Sequence, residues 1–298
     1  MNPYIYVFVT AFLWALLAPG LKAANAHLDS LTIVWLRFLI AFLGLVVITL
    51  IRSPEKIKVL ARPPKMFIAS ALFLAFNYFG YMKGVELTTP SNAQIIVQFG
   101  PLALVLYGVF LFKEKLSVSQ KGGFLFVVLG FLIFYNDQFS NLVQKGNDSY
   151  TAGVVWVFFS ALSWATYAAM QKVLAGRLST SEANLIIYAI PVLIFVPFVD
   201  PRPLLAGDYK LWSIVIFLGL NTLIAYSSLT EALRRLPANK VGVWITLNPL
   251  VTIALLSVLN SYGITRFGVE SIGHDGLLGA CVLIFGAIMV SFKKGKKR

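Results

Sequence analysis

Ten apolar stretches, each long enough to cross a bilayer, leave this chain few folds to choose from. They lie near residues 4 to 22, 31 to 51, 66 to 84, 91 to 111, 118 to 136, 152 to 172, 183 to 199, 211 to 231, 240 to 260 and 274 to 292. A membrane-spanning helix needs about 20 mostly apolar residues. A membrane β-barrel would instead require alternating strands of about ten residues, which continuous runs such as Leu125 to Phe134 do not provide. A water-soluble domain is excluded by composition, because 58% of positions are hydrophobic and 12% charged, against roughly 25% charged in soluble domains. The first stretch carries Pro19 and Gly20 and has no basic flank before it, so it reads as a span and not a cleaved signal.

The formal charge of +13 raises the question of nucleic acid, and its distribution answers it. With loops assigned alternately to the two faces, the second, fourth, sixth and eighth loops and the tail carry 18 of the 25 Lys and Arg, the other loops carry 6, and Arg37 lies inside a span. Such asymmetry places both termini, including Lys293-Lys294-Gly295-Lys296-Lys297-Arg298, in the cytoplasm. Basic loops facing anionic lipid account for the charge without any nucleic acid partner. Cys281 is the single cysteine, so neither an intrachain disulfide nor a cysteine metal site can form.

The spans are written twice. Phe12-Leu13-Trp14-Ala15 corresponds to Leu162-Ser163-Trp164-Ala165 at an offset of 150, while Tyr78 and Tyr226, like Pro101 and Pro249, are 148 apart. Lys113-Glu114-Lys115-Leu116, with Gly123 and Gly130, corresponds to Val269-Glu270-Ser271-Ile272, with Gly279 and Gly286, at an offset of 156. The eight added positions fit an insertion around Asn260 to Phe267. Each copy holds five spans, an odd number, so the second must enter the membrane from the opposite side. The expected fold is therefore an all-α membrane protein of ten helices in two inverted five-helix repeats, residues 1–136 and 151–292. A polar linker at 137–150 joins them and a basic tail at 293–298 follows. Inverted repeats of this kind underlie alternating access.

This organisation, with Trp14, Trp164, Trp35-Leu36-Arg37-Phe38 and the Pro101 block leading to Lys113-Glu114-Lys115-Leu116, resembles the drug/metabolite transporter superfamily, in particular its EamA-type members. The similarity runs over essentially the whole chain. It implies movement of small metabolites, often amino acids, across a bacterial inner membrane. The last loop, with Tyr262, Arg266, Glu270, His274 and Asp275, departs from the pattern by being longer and more polar.

Polar residues inside the spans give the candidate substrate site. Gln94 and Gln98 share one face of the fourth span, and Asn77 and Tyr81 share one on the third, with Tyr78 beside them. Trp14 and Trp164, Tyr167, Tyr226 and Trp244 complete a set that can line an apolar cavity able to orient a small polar molecule. The same residues can instead serve as interhelical glue or as an interfacial aromatic belt. Arg37 can hold a carboxylate bidentately, or snorkel to the interface and tie to carbonyls. Pro101 and Pro249 cannot donate to the carbonyls of Val97 and Ile245, which makes each a candidate hinge. Glu114 and Glu270 read as boundary charges or ion-pair partners. Gln94 and Gln98 fall toward the outer side and Trp244 toward the inner side, so the two kinked helices are expected to line opposite ends of one path.

Several functions are excluded or disfavoured. No HExxH or GxSxG motif occurs and both histidines lie near span ends, which leaves little material for an enzyme. No acidic residue falls in the middle of any span, so coupling through a buried carboxylate is not expected. The sequence points to a secondary transporter for small amphipathic metabolites, amino acids first, working as a monomer without cofactor or metal. The alternatives are a multidrug or toxic-compound exporter and a lipid flippase component.

Overall fold

The computed structural model describes residues 2–88, 93, 96–134, 136, 148–200, 202–205, 207, 209–261 and 274–291. Gln94, linker residues 137–147, the loop at 262–273 and the basic tail lie outside the described residues.

The first three spans are α1 (Tyr4–Asn25), α2 (Ser30–Arg52) and α3 (Lys65–Leu87). A fourth is represented by α4 (Phe99–Phe110) and a fifth by α5 (Val118–Phe134). The second half has α6 (Asp148–Val173), α7 (Thr180–Phe195) and α8 (Tyr209–Arg235). Its ninth span is broken into α9 (Ala238–Thr246) and α10 (Asn248–Ser261), and α11 (His274–Ser291) is the tenth. By length and composition α1, α2, α6, α8 and α7 with its 3-10 extension each suffice to cross a membrane. A 3-10 segment, Pro54–Leu60, bends 76° from α3, and the pair passes the same test as one broken span. Among the described residues there is no β-strand, only an isolated bridge between Ala175 and Leu178.

Local chemistry starts corresponding helices alike. The Asp29 side chain accepts from Thr32 N–H to cap α2, and 150 positions later Ser179 forms a capping box with Glu182 at the start of α7. Both kinked spans break just before their prolines. Val97 and Gln98 leave the helix ahead of Pro101, and Leu247 does so ahead of Pro249. The carbonyls that the prolines strand are not left bare: Gly100 N–H donates to Val97 O at 3.0 Å, and Leu247 N–H reaches Ile245 O and Trp244 O. Tightened turns thus satisfy acceptors that hydrocarbon would leave unpaired.

Helix packing follows the repeat. With spans numbered one to ten, α5 packs on α11, α4 on α9 and α2 on α7, each a contact between equivalent spans. The remaining large contacts come in related pairs: α3–α6 with α1–α8, α2–α8 with α3–α7, and α4–α6 with α1–α10. Exchanging the repeats maps each onto its partner, which is the signature of a pseudo-two-fold relation.

The polar contacts obey the same exchange. Ser160 Oγ donates to Asn77 O at 2.9 Å, and at the related site Thr10 Oγ1 donates to Ala225 O at 3.2 Å. Ser163 Oγ donates to Phe73 O at 2.7 Å, while Asn221 Nδ2 donates to Leu13 O at 2.6 Å, so the same two backbones are tied with the polar side chain on the other helix. Where helices come closest, glycine is required: a Cβ on Gly130 would stand 2.8 Å from Gly279 O, and one on Gly279 would stand 2.9 Å from Gly130 O. Small residues at such a seam let two backbones pack directly.

Candidate functional site

The symmetry relation brings its own equivalents together at the centre. Trp14 of α1 and Trp164 of α6 meet with ring centroids 5.9 Å apart, edge to face. Tyr78 of α3 and Tyr226 of α8 share a hydrogen bond between their hydroxyls at 3.0 Å. Trp14 also lies 5.8 Å from Tyr226, and Tyr167 lies 6.1 Å from it, so both pairs belong to one aromatic cluster. Phe38 of α2 completes the wall, 4.9 Å from Tyr78 and 6.3 Å from Tyr188. These rings give edge-to-face and tilted contacts.

Arg37 enters this cluster from α2 and is 4% exposed. Its Nε donates to Thr222 Oγ1 at 3.1 Å and its Nη2 to Tyr78 OH at 3.3 Å, with the guanidinium carbon 5.4 Å from the Tyr78 ring centre. Thr222 in turn donates to Leu218 O, so the hydroxyl that receives Arg37 is held by its own helix. Arg37 does not snorkel: it turns into the protein.

Six of the expected site residues therefore converge: Trp14, Arg37, Tyr78, Trp164, Tyr167 and Tyr226. Three others go elsewhere. Asn77 is committed to the α3–α6 seam, donating to Ser160 O and Ser160 Oγ at 3.0 Å each. Tyr81 packs in a satellite cluster with Ala93, Ile96 and Val157. Trp244 pairs with Tyr4 at 6.0 Å, at the start of α1. Gln98 is 4% exposed and its Oε1 has no partner among the described residues, which leaves an acceptor beside the break in the fourth span. Phe38, Thr222 and Tyr188 belong to the cluster although nothing in their spacing singled them out.

One end of the axis is tied across the repeats. On the side that carries most of the basic loops, the Glu114 carboxylate accepts from Ala238 N–H at 2.7 Å and Asn239 N–H at 3.0 Å. The first turn of α9 has Pro237 before it and no side-chain cap of its own, so a residue of the other repeat supplies one. Glu114 is thus a trans cap and not a simple boundary charge. Gly108 makes room for it, since a Cβ there would sit 2.6 Å from Glu114 Oε2. Lys172 Nζ donates to Leu236 O at 2.6 Å and Lys240 Nζ to Tyr4 OH at 2.7 Å, closing the same end. A separate cleft of about 240 Å³, lined by Leu132, Ile133, Asn136 and Asp275, shares no residue with the central cluster. Among the described residues no group of three or more His, Cys, Asp or Glu is placed to hold a metal ion.

Two inverted five-helix repeats meeting on a polar, ring-lined axis define a membrane transporter of the inverted-repeat class. The chain belongs to the EamA-like transporter family, which it matches over residues 1–136 and again over 151–292. A Haemophilus influenzae protein described as an uncharacterized transporter is 30% identical over 96% of this chain and 93% of its own length. The Escherichia coli K12 uncharacterized inner membrane transporter YhbE is 29% identical over 95% of this chain and 89% of its own. A solved crystal structure aligns with a TM-score of 0.78 over 97% of both chains at 19% identity, a likeness of fold alone.

Proposed function

We propose that the protein is a secondary carrier that moves small amphipathic metabolites, amino acids foremost, by alternating access across the bacterial inner membrane, with both termini cytoplasmic and one chain sufficing. The observation that carries this reading is the broken symmetry of two equivalent half-helices. Pro101 and Pro249 stand near the starts of α4 and α10. Ala103 and Leu104 of α4 are buried, whereas their equivalents Val251 and Thr252 of α10 are half-buried; Leu106 and Phe110 are exposed, as are their equivalents Ala254 and Val258. Unequal burial of equivalent positions in a symmetric scaffold is what one of two exchangeable states would show. The apolar rings with isolated hydroxyls and the Arg37 guanidinium suit a ligand that is mostly apolar with a polar head. The positive-inside asymmetry supports the orientation, and the inner-membrane description of the Escherichia coli relative supports the location.

The test is a thermal-stabilisation screen of purified protein followed by solute counterflow in proteoliposomes. The reading expects at least one amino acid or related metabolite to stabilise the protein and to exchange. If none moves, and Gln98→Ala and Trp164→Ala alter no transport, the site is wrong. Resistance to toxic compounds without metabolite flux would assign an exporter instead, and phospholipid retained on purification a lipid-handling component.

A further inference from the structure

We infer that the central site selects its substrate by a carboxylate, held on Arg37, and not by an ammonium group. The inference rests on the carrier reading for its site and adds the chemical class that the site admits.

Arg37 is a permanent cation, because a guanidinium does not lose its proton in proteins. It lies seven residues into α2, roughly 10 Å from the helix start at 1.5 Å per residue, and is 4% exposed. Cations buried at membrane depth are costly, and they persist where an anion or a functional ligand answers them. Among the described residues the groups that contact the Arg37 guanidinium are neutral: the Tyr78 hydroxyl and ring from α3, and Thr222 from α8. Among the described residues the ion pairs are Lys83–Glu86, Arg202–Asp200 and Arg235–Glu231, and none includes Arg37. Of the five N–H donors, one on Nε and one on Nη2 are engaged. The Nη1 pair and the second Nη2 hydrogen remain, which is enough for the two parallel bonds that a carboxylate accepts.

The surroundings define the rest of the ligand. Phe38, Tyr78, Tyr188, Tyr226 and Trp14 form a continuous ring-lined wall beside the guanidinium. Among the described residues the cluster contains no Asp or Glu. An α-ammonium would meet ring faces and hydroxyls, which tolerate it without requiring it. The geometry therefore makes the carboxylate indispensable and the amino group optional: aromatic and branched amino acids should share the site with the 2-oxo and 2-hydroxy acids of the same side chains.

Binding to the full-length protein in nanodiscs, measured with phenylalanine, phenylpyruvate and phenethylamine, separates the two groups. The expected result is that phenylalanine and phenylpyruvate bind within about threefold of each other while phenethylamine binds at least thirtyfold more weakly. Arg37→Gln should weaken both carboxylates at least thirtyfold and Arg37→Lys by less, since an ammonium is a point charge without the planar fork. Tyr78→Phe keeps the ring but removes one anchor of the guanidinium, and should weaken both carboxylates several-fold even if the Arg37 variants fail to fold. Equal binding of phenethylamine, or carboxylate binding indifferent to Arg37 and Tyr78, overturns the inference. So does Arg37-dependent stabilisation by phosphatidylglycerol in the nanodisc without any by the free acids, which would make the anion a lipid phosphate. Counterflow of other metabolites indifferent to Arg37 would sink this inference and leave the carrier standing. Carboxylate binding without counterflow would do the reverse.

Discussion

Neighbouring residues of α3 do opposite jobs. Asn77 and Tyr78 are adjacent in sequence, so on a helix they point about 100° apart, and only one of them can face the axis. Asn77 bonds Ser160 at the α3–α6 seam while Tyr78 bonds Arg37 and Tyr226. Asn77→Ala removes two hydrogen bonds from a buried seam and should lower stability by about 1–2 kcal/mol, read as an earlier thermal midpoint, with substrate affinity unchanged. Tyr226→Phe removes one hydroxyl at the axis. It should leave the midpoint within about 1 kcal/mol yet slow counterflow, and a change confined to stability would place Tyr226 in the scaffold. Polarity within a span was visible in the sequence; which way each polar group turns was not, because both glue and cavity lining demand an inward-facing residue. Arg37 was legible as the single cation inside a span, but its acceptor Thr222 comes from a helix 185 positions away. Phe38 belonged to the Trp35-Leu36-Arg37-Phe38 block but carried no signal of a place at the axis, since an aromatic residue in an apolar run looks the same whether it meets lipid or substrate.

At the scale of elements, the broken spans matter most. Prolines 148 positions apart announced two kinks, and both helices do break just before them. What the sequence could not convey is that the freed carbonyls find N–H donors in tightened turns, or that α9 receives its cap from the opposite repeat. The latter depends on Glu114, Gly108 and Ala238 meeting in space. A carboxylate bonded to two consecutive backbone N–H groups contributes roughly 1.5–3 kcal/mol per charged hydrogen bond, enough to bias a gate. Glu114→Gln keeps the shape and removes the charge. It should raise labelling of a cysteine placed at Val243, in a Cys281→Ser background, by an impermeant thiol reagent from the basic side about tenfold; unchanged labelling would make the cap static glue. The α5–α11 seam tolerates no such adjustment. A Cβ on Gly130 would lie 2.4 Å from Leu283 N, so Gly130→Ala should destabilise by about 1–3 kcal/mol through overpacking, seen as reduced yield and a lower thermal midpoint.

For the whole molecule, the duplication carries most of the information. Short blocks repeated at offsets of 148 to 156, together with an odd number of spans per copy, implied the inverted arrangement. The packing then shows it contact by contact, as α3–α6 is answered by α1–α8 and α2–α8 by α3–α7. Spans were legible because the hydrocarbon thickness fixes their length. The state of the molecule was not, because a sequence symmetric under exchange of its halves describes both ends equally. The contacts among Glu114, Ala238, Lys172 and Leu236 tie the basic end across the repeats. Toward the other end, Trp35 Nε1 donates to Val192 O and Asp200 N–H to Thr32 Oγ1, which ties α2 to α7. Alternating access at the axis is the central claim, and Trp14, half-buried between Trp164 and Tyr226, is the position that reports on it. The direct measurement is the reactivity of a single cysteine, Trp14→Cys in a Cys281→Ser background that retains counterflow, toward an impermeant thiol reagent added to either face. Alternating access requires labelling from both faces, with transported substrate protecting against each. Labelling from one face only, whatever the substrate, would contradict it.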